Sequence, residues 1–298
     1  MNDKRTTASG GNGIVSKYLG QLRTGRRLVA DCLDVMRAHP KMALFPILSI
    51  LSSIVFFALL LLPLLYGLSI GNGAEYVVLF VLYFTTTFAS TFFSASLVVG
   101  AKKAFHGEEI SLYACTTEVT GHLGPILVWS LISATVSLVL QIADNNDNNL
   151  LNAISGAVYV LFSASWSIVT FFVVPVIVFE DVSVRSMFRE SLRTFKQVWG
   201  ETFGAGLGIT FITGGIGLLL AVPSFGVARL LFPDGSVLLY ALFVLPAFAV
   251  TYVFHQTIWA ILKTALYLYA KEEMRPSQFE NFDFESLGGR TESPESAN

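Results

Sequence analysis

Six times this chain runs for more than twenty residues without an Asp, Glu, Lys or Arg: 42–74, 76–101, 119–143, 148–179, 202–228 and 235–262. Each run is bounded by charge or by a turn cluster. A helix rises 1.5 Å per residue, so about 20 apolar residues cross the roughly 30 Å hydrocarbon core of a bilayer. Lipid offers no partner to free backbone groups, which leaves helices or a closed barrel. Barrel strands alternate apolar and polar over about ten residues, and these runs are apolar on both parities. The expected fold is therefore all-α: a polytopic membrane bundle of six transmembrane helices, spanning about 42–66, 76–100, 122–143, 152–179, 202–224 and 237–262 within a membrane domain at 26–274. Polar segments flank it at 1–25 and 275–298. Only 13% of residues are charged, against about a quarter in a soluble domain, whose surface must stay wet.

The basic residues orient the thread. Numbering the loops along alternating spans puts eighteen of the 19 Lys and Arg on one side and Arg229 on the other. By the positive-inside rule both termini are cytoplasmic, in a cell (inner or plasma) membrane. The opposite side carries short polar turns, at 69–75 and 144–149 (DNNDNN). Cys32 and Cys115 fall on the cytoplasmic side, where thiols stay reduced, so no disulfide is expected. The polar N-terminus lacks an apolar h-region and cleavage site, so no cleavable signal peptide is expected either. A net charge of −2 gives no case for a nucleic-acid partner.

The segments between spans are amphipathic. In 183–199, Val184, Met187, Phe188, Leu192, Phe195 and Trp199 recur at three- and four-residue spacing. Arg185, Arg189, Arg193 and Lys196 take the other face, and Asp181 or Ser183 is placed to cap the helix. Such a helix belongs in the headgroup region, apolar side down, with its cations toward anionic lipid. Residues 26–38 share the pattern and 111–119 form a less basic version. Surface helix followed by a two-span hairpin occurs three times. Glu109-Ile110-Ser111-Leu112 matches Asp181-Val182-Ser183-Val184, an offset that also pairs Glu118 with Glu190. Either this is a parallel repeat, or it is the self-similarity any helical membrane protein shows. Beyond Arg275 the chain turns polar and is expected to be largely disordered, with Phe279, Phe282, Phe284 and Leu287 available to dock on a partner or back on the helices.

Chemistry-bearing patterns are few. His39, His106, His122 and His255 do not form a metal-ligand spacing. His255-Gln256 lies toward the cytoplasmic end of span six and reads as an interfacial or helix-packing pair, although polar residues inside a membrane are often functional. Gly204, Gly206 and Gly208 are not GxGxxG. Gly204 and Gly208 make a small-xxx-small pair that Gly214, Gly215 and Gly217 extend into a close-packing face. The hydroxyls of span two (Thr85 to Ser96) and span four (Ser163, Ser165, Ser167) read as interhelical glue rather than as a polar path. Pro175, Pro223 and Pro246 mark kinks or breaks. No triad, HExxH or Walker loop is present, and no carboxylate lies within a span. Only His106, Glu108, Glu109 and Glu118 approach a polar cluster, and such a surface cluster is usually a solvated face.

Several blocks resemble a known family. They are FASTFFSASLVVGAKKAFHGEEISL, LGPILVWSLISATVSLVLQ and FRESLRTFKQVWGE, with W-S-x-x-T-F-F-V-V-P-V-x-V-F-E at 166–180 the most specific. They are similar to the uncharacterised integral-membrane family called domain of unknown function 6159, over about 26–287. The resemblance implies a multi-pass prokaryotic inner-membrane protein and carries no functional residues. The expected function is a non-enzymatic structural or accessory membrane component acting through lipids, a protein partner or self-association through span five. The alternative is a transporter or channel for a small solute or lipid. No catalytic, cofactor-binding or metal site is assigned.

Overall fold

Hydrophobic length dictates helices, and three of them are longer than a hydrocarbon core of about 30 Å requires. The computed structural model describes residues 29–65, 74–144, 149–180 and 183–274, with Pro276 and Phe279. The polar N-terminal segment, the turns at 66–73 and 145–148, Asp181, and the tail residues Phe282, Phe284 and Leu287 lie outside the described residues. Residues 29–38 form α1, and a 3-10 turn at Pro40–Ala43 leads into α2 (Leu44–Leu65). There follow α3 (Ala74–Phe105), α4 (Leu112–Thr120), α5 (Leu123–Asp144), α6 (Asn149–Thr170), α7 (Val173–Phe179), α8 (Val184–Gln197), α9 (Trp199–Leu231) and α10 (Val237–Glu272). Among the described residues six stretches are long and apolar enough to cross a membrane. The chain is an all-α, multi-pass membrane protein.

Three helices continue past the expected span ends at 100, 224 and 262. With 32, 33 and 36 residues, α3, α9 and α10 are about 48, 50 and 54 Å long at 1.5 Å per residue. Lys102, Lys103, Lys263 and Lys271 thus stand on helix rather than in loops. Both α9 and α10 run unbroken through Pro223 and Pro246.

Packing is concentrated at the basic end. The core joins Cys32 and Val35 of α1, Met42 and Phe45, the last turns of α3, Cys115 and Val119 of α4, and Ile126 of α5. Phe172 and most of α7, Met187 and Phe195 of α8, and residues 258–268 of α10 complete it, and Phe279 closes it against Phe105 at 6.0 Å. The far halves of the helices are exposed, Leu230 at 82% and Leu238 at 81%. Solvent explains this division. Lipid tails are as apolar as leucine, so nothing drives apolar faces together within hydrocarbon. Where the helices leave it, the hydrophobic effect returns and the short helices fill the gaps. Helix α3 is the hub, touching α2, α4, α5, α7 and α10.

The fourth span is not one helix. Pro175 has no N–H, and its ring collides with the carbonyl four residues back, that of Phe171. The helix stops at Thr170 and restarts at Val173, with Pro175 in the first turn of α7, where a missing N–H costs nothing. The freed Phe172 N–H donates to Ser191 Oγ of α8 at 3.0 Å. Ser191→Ala will leave that buried N–H unpaired and lower stability by about 1–3 kcal/mol, measured by thermal unfolding in detergent. Ser191→Thr, which keeps the hydroxyl, will cost less.

That bond also places α8. Its buried residues are Met187, Ser191, Thr194 and Phe195, and Phe188 meets Trp129 and Trp166 at about 6 Å. Contrary to the expected lipid-facing pose, the apolar face is covered by protein, while Arg185, Arg189, Arg193 and Lys196 are exposed. Ser183 takes the N-cap position, yet its hydroxyl contacts Ser186 Oγ at 2.9 Å rather than a backbone N–H. The aligned Ser111 caps α4 through Ala114 N–H at 3.4 Å. Glu118 and Glu190, also aligned, each receive a lysine from the last turn of a long span, Lys103 of α3 and Lys271 of α10.

Candidate functional site

The ends of α3, α7, α8 and α10 converge beside this core and bring together charges far apart in sequence. Lys271 is paired with Glu180 at 2.9 Å and also with Glu190. Tyr267, one turn earlier on α10, donates to Glu180 Oε1 at 2.6 Å. Lys102 reaches Glu272 at 3.0 Å and lies over the Phe179 ring at 4.6 Å. Lys103 takes Glu118 at 3.3 Å and Glu108 at 3.7 Å.

Local backbone chemistry builds the second half of this cluster. Gly107 ends α3 in the left-handed conformation (φ 72°), which a residue with a Cβ adopts only at a cost. The reversal carries Glu108 N–H back to the Lys103 carbonyl at 2.9 Å and sets the Glu108 carboxylate beside the Lys103 ammonium. His106 is fixed by Nδ1 against the Lys102 carbonyl at 2.8 Å. These groups border a cavity of about 160 Å³ with Val99 and Phe179 as its apolar wall. Of the four residues singled out in the sequence, His106, Glu108 and Glu118 line it and Glu109 does not. Lys102, Lys103, Glu180, Glu190, Tyr267 and Lys271 were missed as a group. Their partners are as much as 170 positions away, and no spacing rule reaches that far.

Inside the membrane the polar groups turn inward on their own helices. Thr85, Thr86, Ser96, Ser130, Thr170, Thr257 and Thr264 donate to carbonyls four residues back. For Thr85, Thr86 and Ser96 this back-bonding stands where an interhelical role was expected. Thr213 does both: it donates to the Ile209 carbonyl at 2.9 Å, and its Oγ1 lies 2.9 Å from His255 Nδ1, which joins α9 to α10. His255 is thus a helix-packing residue, and Gln256 donates to the Tyr252 hydroxyl at 3.0 Å. Ser49, Ser90, Ser94, Tyr252 and Gln256 surround a void of about 10 Å³, room for about one water. Lys263 lies 4.7 Å from the Phe171 ring and 5.6 Å from that of Trp259. Of the glycine face, Gly217 packs on Thr251, whereas Gly214 and Gly215 look into open space.

Among the described residues no three His, Cys, Asp or Glu side chains converge as metal ligands. Burial pushes both thiols up, Cys32 most strongly, and keeps them protonated and poorly nucleophilic. N-ethylmaleimide will therefore modify neither cysteine in the folded protein and both after denaturation, read by intact mass.

No curated protein and no solved structure matches the chain. One family model does, over residues 73–276, from the start of α3 through the end of α10, so that it covers the whole ion-paired cluster and both sides of the broken span. That match takes in more than half of the sequence, and the chain belongs to the family of unknown function DUF6159.

Proposed function

We propose that the protein is a non-enzymatic accessory component of a prokaryotic cell membrane, with its basic end in the cytoplasm, acting through anionic lipid headgroups. The observation that carries this reading is the division of labour among its cations. Lys102, Lys103 and Lys271 are neutralised by carboxylates between helices. The cations of α8 point outward from a helix whose apolar face is already covered. Their helix is already packed against protein, so binding headgroups orders no backbone, and each cation contributes about 1 kcal/mol near an anionic surface. The open Gly214 and Gly215 surface of α9 suits self-association as a second mode of contact.

The test is the lipid that travels with the protein. Extracted in native nanodiscs, the full chain should retain anionic over zwitterionic lipid severalfold. The variant Arg185→Gln/Arg189→Gln/Arg193→Gln/Lys196→Gln should lose that preference. Equal lipid composition around both proteins would overturn the reading. A transporter or channel for a small solute or lipid is the second reading, favoured by the break at Phe171–Phe172, since discontinuous helices build many transport sites. The one-water void between α2, α3 and α10 speaks against it, and solute flux in proteoliposomes above empty vesicles would support it.

A further inference from the structure

We infer that the cavity at the end of α3 is a binding site for a zwitterion that pairs a primary ammonium with a phosphate, the headgroup of phosphatidylethanolamine. This rests on the reading that the protein acts through lipids, but on different residues. Three observations carry it: charge balance, depth and shape.

The cavity wall holds Lys102, Lys103, Glu108 and Glu118, with the Lys103 ammonium 3.3 Å from Glu118 and 3.7 Å from Glu108. Two cations and two anions share the lining, so neither a simple anion nor a simple cation matches the whole of it. A phosphate accepts from the donors left on the two ammonium groups, each of which carries three, since Lys102 spends one on Glu272 and Lys103 two on Glu118 and Glu108. A primary ammonium has three N–H donors for the carboxylates of Glu108 and Glu118. A quaternary ammonium has none.

Depth follows from helix length. Counted from Tyr76, where the apolar stretch of α3 begins, hydrocarbon about 30 Å thick is filled by about Ala95. Val99 to His106 then stand at headgroup level. A volume of about 160 Å³ is well below the several hundred Å³ of pockets for whole drug-sized molecules. It takes a headgroup, while the acyl chains stay outside in the bilayer.

Native mass spectrometry of the full-length Arg185→Gln/Arg189→Gln/Arg193→Gln/Lys196→Gln protein, whose α8 no longer draws anionic lipid, offered phosphatidylethanolamine, phosphatidylcholine or phosphatidylglycerol, tests this. One phosphatidylethanolamine should be retained, about tenfold or more over the other two. Glu118→Gln and Lys102→Gln should each weaken it about tenfold, the cost of one charged hydrogen bond. Val99→Phe, which fills the cavity and keeps every charge, should abolish it. If Val99→Phe does not elute as folded protein, the two charge variants decide. Soluble phosphoethanolamine bound at the same residues without lipid retention would identify a free zwitterion as the source and sustain the site chemistry. Equal retention of phosphatidylglycerol, or phosphatidylethanolamine binding indifferent to all three variants, would overturn it. Because the two sites share no residue, loss of this one leaves the anionic-lipid reading standing, and the converse also holds.

Discussion

Lys271→Met will lower the unfolding temperature of the detergent-solubilised protein by about 10 °C. The ammonium is shared by Glu180 and Glu190, and the three side chains retain only 17–25% exposure. Removing it leaves two carboxylates facing each other with little water. Loss of one partner from a buried ion pair costs about 3–5 kcal/mol, and partial exposure moves the expectation toward the lower figure. At about 2–4 °C per kcal/mol for a chain of this size, the shift is large enough to read by fluorescence-detected size exclusion after heating. Two further variants separate electrostatics from packing. Lys271→Arg, whose fork reaches both carboxylates, will stay near wild type. Adding Glu190→Gln to Lys271→Met will recover part of the loss, because one of the stranded charges is then gone. Should Lys271→Met unfold with the wild type, this pairing does not hold α10 to α7 and α8.

A change of similar size is expected at the broken span. Phe172 is fully buried and meets Phe171 at 4.8 Å, Tyr267 at 6.3 Å and Phe195 at 6.5 Å. Phe172→Ala will empty that position and destabilise by about 3–5 kcal/mol. The comparison is Leu161→Ala, eleven residues earlier on the same apolar run but 68% exposed. There the loss will be within about 0.5 kcal/mol. The same thermal assay serves both. Equal effects at the two sites would contradict the picture of a core gathered at one end, with lipid covering the rest.

The candidate site was partly legible before the structure. His106, Glu108 and Glu118 are close in sequence, so a turn suffices to group them, and the sequence suggests as much. What it cannot show is that Lys102 and Lys103 sit on helix rather than in a loop, which aims them at Glu272 and Glu118 instead of at solvent. Glu190 reads as one polar residue on the basic face of α8, yet it is turned to Lys271 of α10. The broken span shows the same limit. Pro175 predicts an interruption, and it falls where proline chemistry requires. That Ser191 supplies the missing acceptor is visible only once α8 is laid against α7.

Hydrophobic length is a property of consecutive residues, so the chain itself determined the six stretches long and apolar enough to cross a membrane, the all-α class and the amphipathic helices between them. Folding in three dimensions decided how far the helices overrun the bilayer, where the core lies, which glycines find a neighbour and which charges are consumed in pairing. The physical reason is the change of solvent along each helix. Within hydrocarbon an apolar surface needs no partner and sequence pattern suffices. Beyond it, water forces every apolar face and every half-buried charge to find one, and that partner is chosen by how helix ends far apart in the chain converge.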